Sequence, residues 1–197
     1  MELGKVCKME SGLVLSRKRA RNDLELKKYY KVLSLNNIEV HGDFNEAELE
    51  NFPSKEILPE HYFTQVGDIL IRLNEPYTAV CIQEHQAGVL IPSYFVSLEL
   101  TSDDFLPEYV SWYINSCVVK RNFYQAQSGT ITPNINQKVI QELDIPVLPL
   151  NEQEKITAVH QLYLLERRLL RRLINQKDHY YEAITNKIIH EKMGEYR

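Results

Sequence analysis

The chain has 197 residues, 44% of them hydrophobic and 25% charged, with a net charge of −4. That length accommodates one domain with a full core plus an appendage but not two ordinary domains, and the composition excludes disordered, collagenous and disulfide-scaffold classes. The opening MELGKVCKMESG has no apolar core of signal-peptide length, and no stretch approaches the roughly 20 apolar residues that span a bilayer, so a cytoplasmic protein without membrane contact is expected.

Charge is laid out unevenly. Residues 1–40 carry nine basic and five acidic side chains, whereas residues 41–110 carry two and thirteen. The basic excess concentrates in SRKRARNDLELKKYYK, which holds Arg17, Lys18, Arg19, Arg21, Lys27, Lys28 and Lys31. Clustered cations are what contact with a phosphate backbone requires, because each neutralised phosphate releases counterion; a solvated surface loop is the equal alternative. From Tyr29 to Val40, aromatic and β-branched residues roughly alternate and close on His41-Gly42-Asp43, predicting a strand that enters a turn. Residues 43–62, acidic and broken by Pro53 and Pro59, read as loop with at most one short helix.

Gly67-Asp68 then feeds the apolar run Ile69 to Leu73, and Asn74-Glu75-Pro76 interrupts before a second run from Thr78 to Ile82. This pattern predicts two strands joined by a short polar connection. Residues 86–100 predict a further strand pair. Asp103-Asp104 followed by Pro107 marks a helix start, with acid at the positive end of the dipole. In PEYVSWYINSCVVKRNFYQ the residues Tyr109, Val110, Tyr113, Ile114, Cys117 and Val118 recur at helical spacing, so the aromatic residues belong to a core-facing stripe rather than to a base-stacking platform. Short strands with one or two helices predict an α/β or α+β globular domain for residues 1–148.

A different pattern begins at residue 149. Asn151, with Glu154 three places on, has the form of a capping box, and helical spacing then continues without Gly or Pro to about Lys192. Its apolar positions are Ile156, Val159, Leu162, Leu165, Leu169, Leu173, Tyr180, Ile184 and Ile188. A helix of about forty residues is roughly 60 Å long and cannot fold back into a domain of this size. Its stripe must meet another helix, most simply the same helix of a second copy.

Cys7, Cys81 and Cys117 are far apart with no CxxC spacing, so neither a disulfide framework nor a zinc site is expected, and the thiols should be buried. The histidines show no HxxxH or HExxH pairing, and no metal is expected. No glycine-rich loop precedes a helix to cradle a phosphate or a methyl-donor nucleotide, so no cofactor is expected. No Ser, His, Asp order suggests a triad, and the acids form no recognisable metal-nuclease signature.

The stretch QSGTITPNINQKVIQELDIPVLPLNEQEKI carries the most specific signal. A Gly-Thr loop (Gly129, Thr130) precedes an amide-rich segment (Asn134, Asn136, Gln137), then an apolar run ending in prolines (Leu143 to Pro149), then Glu152, Gln153 and Ile156 at a helix start. In this order the stretch resembles the end of a target-recognition domain and the start of the conserved helix in specificity subunits of type I restriction-modification systems. Glu2 to Gly12, Leu35 to Gly42 and Val66 to Ile71 resemble the family's opening, first strand and Gly-Asp-apolar strand. The full-length subunits resemble two such units in tandem, and this chain holds one.

The resemblance implies a half-length, non-catalytic DNA-specificity subunit. Residues 1–148 would read one half of a bipartite site, and residues 149–197 would pair as an antiparallel coiled coil in a homodimer. The implied partners are double-stranded DNA, the methyltransferase subunit and the restriction subunit. Amides pair with adenine, Arg with guanine, and hydroxyls with either base edges or phosphate. The candidates for DNA contact are therefore Thr130, Asn134, Asn136, Gln137 and Lys138 in the amide-rich loop, and Arg72, Asn74 and Tyr77 beyond the Gly-Asp strand. Arg17, Lys18, Arg19 and Arg21 would contact phosphate. The bland alternatives are a loop tied to its own backbone and a plain hairpin connection. A helix-dimerised docking or regulatory module without DNA readout is the competing function.

Overall fold

Two antiparallel sheets organise the first hundred residues in the computed structural model, which describes residues 1–46, 49–126 and 134–195, with side chains to residue 191. The larger sheet contains β1 (Cys7–Ser11), β4 (Ile69–Arg72), β5 (Ala79–Cys81) and β6 (Phe95–Leu100), in the spatial order β1-β6-β4-β5. The smaller pairs β2 (Lys28–Val32) with β3 (Glu50–Ser54). Among the described residues four α-helices follow: α1 (Pro107–Ile114), α2 (Cys117–Ala126), α3 (Gln137–Gln141) and α4 (Leu150–Glu195). The chain divides into two compact units, Met1–Thr157 and Ala158–Arg197.

Residues alternate across the large sheet, as the two-residue period of a strand demands. Ile69, Ile71, Ala79, Val96 and Leu98 share a core with Tyr109, Val110 and Ile114 of α1, Val119 and Phe123 of α2, and Ile140 of α3. Leu70, Val80 and Phe95 point the other way and pack with Leu33, Ile38, Val89 and Ile91. Because both faces are covered, the run Ile69-Leu70-Ile71 is apolar without interruption. A third cluster, with Leu13, Tyr30, Val32, Phe52, Leu58 and Leu90, holds the small sheet.

The predicted hairpin of Ile69–Leu73 with Thr78–Ile82 forms as β4 and β5, with Ile71 opposite Ala79. Four of the elements expected before residue 127 differ in the structure. The strand predicted from Tyr29 to Val40 stops at Val32, because Asn37 turns the chain: its side-chain oxygen accepts from the Ser34 N–H at 2.6 Å and its amide donates to the Asn45 carbonyl at 2.7 Å. The acidic stretch predicted as loop contains β3. Pro53 is tolerated there because a two-stranded sheet has only edge strands. Residues 86–100 supply one strand rather than two, since Leu90 makes only isolated bridges to Val32 and Phe63.

The fourth difference is the predicted single helix of residues 107–125, which breaks at Asn115-Ser116. The Asn115 side chain accepts from the Ala79 N–H at 2.9 Å and donates to the Ala79 carbonyl at 2.7 Å. That pair of bonds occupies part of the outer edge of β5, whose backbone there has no neighbouring strand to pair with.

At α4 the expected capping box on Asn151 does not form. The helix begins at Leu150, and the Glu152 and Gln153 N–H groups donate to the Pro149 carbonyl at 2.9 and 3.1 Å, which leaves Asn151 inside the first turn. Gln153 is fully buried and ties this turn to the globular unit: its side-chain oxygen accepts from the Leu106 N–H at 2.9 Å, and its amide nitrogen donates to the Asp104 and Leu148 carbonyls at 2.7 and 2.8 Å. Ile156, predicted in the pairing stripe, packs against the core of its own unit. From Val159 onward the predicted stripe residues Leu162, Leu165, Leu169, Leu173, Tyr180, Ile184 and Ile188 are all exposed.

Candidate nucleic-acid interface

Strand register places the C-terminal ends of β1 and β4 and the N-terminal ends of β5 and β6 at one end of the large sheet: Ser11 lies opposite Val96, Arg72 opposite Phe95, and Ile71 opposite Ala79. Two of the predicted candidate loops meet there. Asn74, in the β4–β5 connection, forms an antiparallel bridge with Asn134, and the Ile135 N–H donates to the Leu73 carbonyl at 2.8 Å. The chain then crosses the end of the sheet to Gln137, whose amide donates to the Ser11 hydroxyl at 2.8 Å. Arg72, Asn74, Asn134, Gln137 and Ser11 thus form one polar row.

Arg72 is held in place. Its Nε donates to Asn74 Oδ1 at 2.9 Å and its Nη1 to the Leu35 carbonyl at 3.3 Å. Burial pushes the guanidinium pKa down from its ordinary value. It remains a cation at physiological pH, and its five N–H donors are not exhausted by two bonds. A half-buried, oriented guanidinium beside an amide is suited to bidentate recognition of a base edge or a phosphate.

The remaining candidates divide. Asn136 is exposed, but its side chain accepts from the Val139 N–H at 3.0 Å and caps α3, the local role open to it from the start. Lys138 lies 3.7 Å from Glu142 one helical turn on. Thr130 lies outside the described residues. Tyr77 is a correction: it is 0% exposed, at φ +53°, and meets Phe123 and Tyr124 edge-on at centroid distances of 6.0 and 5.3 Å. A ring enclosed on that side packs the core and does not reach a duplex.

In the basic segment, Lys18 pairs with Glu56, and the Arg19 guanidinium lies 5.2 Å from the Phe52 ring centroid. Arg17 and Arg21 are exposed, and among the described residues neither has an ion-pair partner. Two side chains at this end carry no sequence signal. Ser11 is 126 residues from Gln137, and Tyr124 donates its hydroxyl proton to Glu75, 49 residues away, at 3.1 Å. Only the folded register joins them.

Cys117 is exposed, against the expectation of a buried thiol, because it starts α2 on the solvent side. Cys7 and Cys81 are half-buried, and burial pushes their thiols up to about 11 and about 12. With thiolate as the nucleophile, a disulfide reagent near pH 8 should modify Cys117 quickly and the other two only slowly. Loss of the fast phase in Cys117→Ser checks the assignment. Among the described residues no group of His, Cys, Asp and Glu is arranged to hold a metal ion, and no helix is long and apolar enough to cross a membrane.

Guanidinium and amide donors gather at one sheet end of a globular unit that a long helix follows along the chain. The chain belongs to the type I restriction modification DNA specificity domain family, which it matches over residues 1–176. Specificity subunits of these systems are non-catalytic, and this chain is a specificity component rather than an enzyme. Its fold is shared with the HsdS subunit of Thermoanaerobacter tengcongensis, at 17% identity and a TM-score of 0.65 over 88% of this chain and 43% of that one. It is also similar to the type I restriction-modification S subunit of M. genitalium, at 18% identity and a TM-score of 0.50 over 86% of this chain and 39% of that one. A chain from a structure described as the basis of complex assembly and conformational transition of the type I R-M system matches at 18% identity and a TM-score of 0.56, over 87% of this chain and 39% of that one. The chain therefore spans about two fifths of the length of these proteins, and one globular unit with one helix fits the half-length form. No curated protein matches it in sequence.

Proposed function

We propose that residues 1–148 read one half of a bipartite DNA site through the polar row at the sheet end, with Arg72, Asn74, Asn134 and Gln137 facing base edges and Arg17 and Arg21 holding phosphate. The helix from residue 149 onward pairs antiparallel with the same helix of a second copy, which sets the spacing of the two half-sites and presents docking surfaces for the methyltransferase and restriction subunits. The observation that carries this reading is the Asn74–Asn134 bridge, which brings two candidate loops to one place beside an oriented arginine. The acidic stretch of residues 41–110 repels a duplex and so faces away from it or toward a protein partner.

Selection from a randomised duplex library at fixed moderate salt, with and without a methyltransferase subunit, tests it. Enrichment of two inverted half-sites separated by a constant gap is the expected result, since a two-fold dimer imposes its symmetry on its site. No enrichment in either condition would leave a helix-paired docking module as the function.

A further inference from the structure

We infer that the exposed face of α2 is a second phosphate-contacting shoulder of the DNA interface, with Lys120 and Arg121 as its cations. This rests on the reading of the sheet end as the DNA-facing end. None of the residues on this face figured among the sequence candidates, because their periodicity marked α2 only as a core helix.

Cys117, Lys120, Arg121, Tyr124 and Gln125 recur at the three-and-four spacing of one helical face and line a shallow surface groove, while Val119 and Phe123 on the opposite face are buried in the core. The helix carries Lys120 and Arg121 and no acid, in a chain whose net charge is −4. Among the described residues Arg121 has no ion-pair partner, and it is exposed. Lys120 is anchored by donation from Nζ to the Val40 carbonyl at 3.2 Å, which fixes where its charge sits without neutralising it.

The face is continuous with the polar row. Tyr124 bonds Glu75, the residue next to Asn74 in the β4–β5 connection, and meets Tyr77 edge-on. The basic segment carrying Arg17 and Arg21 leaves the same sheet end from β1, at the opposite edge of the sheet from β5. The α2 cations thus stand beside the β4–β5 connection of that row, while the segment carrying Arg17 and Arg21 runs on to the small sheet, where Arg19 bridges Ser54 of β3. Charge selects the occupant: a duplex backbone offers rows of phosphates beside the base edges that the polar row faces, and cations are what those phosphates attract.

The test is binding of a labelled duplex by the full chain, wild type against Lys120→Ala/Arg121→Ala, from about 50 to about 200 mM salt. Loss of two phosphate contacts makes the dependence of log K on log salt shallower by about 1.8, so the variant's affinity deficit shrinks roughly tenfold across that range, equally on specific and unrelated sequences. A Lys120→Arg/Arg121→Lys variant retains the wild-type slope. If the wild type binds and Arg17→Ala/Arg21→Ala flattens the slope while the α2 variant does not, the α2 shoulder is wrong and the reading of the sheet end survives. If the wild-type chain binds no duplex at the lowest salt, both fall together.

Discussion

Leu165→Glu/Leu169→Glu is expected to abolish self-association of the chain without unfolding its globular unit. Both leucines lie on the stripe of α4 whose members from Val159 to Ile188 are all exposed, in a helix of 46 residues that runs roughly 70 Å. Leu162, Leu165, Leu169, Leu170 and Leu173 together line an apolar surface groove. An apolar face of this length, interrupted only at Lys177, is far larger than isolated proteins leave open to water. In a symmetric pair each substitution counts twice, so four buried leucines would be replaced by charge. At about 1.5 kcal/mol for each lost burial this is roughly 6 kcal/mol, or about four decades in Kd. Sedimentation equilibrium reads the outcome. A wild-type dimer and a monomeric variant, with circular dichroism of the globular unit preserved, is the expected pair of results. A wild-type chain that stays monomeric at tens of micromolar would show that the stripe is covered by something other than a second copy.

The next largest effect is expected from Gln153→Leu, at about 2–4 kcal/mol of destabilisation of the globular unit. The substitution removes three hydrogen bonds and leaves the Leu106 N–H and the Asp104 and Leu148 carbonyls unpaired beside a fully buried position. Each buried polar group left without a partner costs on the order of 1–3 kcal/mol, reduced here because Asp104 itself is exposed. Gln153→Glu should be at least as damaging, since a carboxylate would face two carbonyl oxygens in place of an amide donor. Urea unfolding followed by fluorescence of Trp112, the single tryptophan, measures both variants. A Gln153→Glu variant as stable as wild type would contradict the contacts described for this residue. The role also explains the Glu-Gln-x-x-Ile helix start on physical grounds: Gln153 and Ile156 fasten the first turns of α4 to the domain, and Glu152 adds a first-turn acid.

The amide-rich loop shows how one composition serves two ends. Asn136 uses its side chain to cap α3, while Gln137 reaches Ser11 and Asn134 bridges Asn74. All three are polar, near in sequence and alike in hydrogen-bonding capacity, so nothing local separates a cap from a candidate reader. The same limit applies to the basic segment, where Lys18 is paired with Glu56 and Arg17 is not. Tyr77 looked like a loop residue because it follows Pro76, yet α2 closes over it. Burial by a helix forty residues on leaves no trace in the turn itself.

By itself the sequence determined what depends on neighbours along the chain. The β4–β5 hairpin, the proline that opens α1 and the long amphipathic α4 all follow from periodicity and from residues with restricted backbones. The order of loop, apolar run, prolines and helix start also sufficed to place the chain in its family. Tertiary structure alone decided the sheet order β1-β6-β4-β5, the strand β3 inside an acidic stretch, the break between α1 and α2, and the meeting of Asn74 with Asn134. Those features rest on pairings across tens of residues, and such a pairing is settled by the whole core that both partners help to bury, not by the preference of either segment.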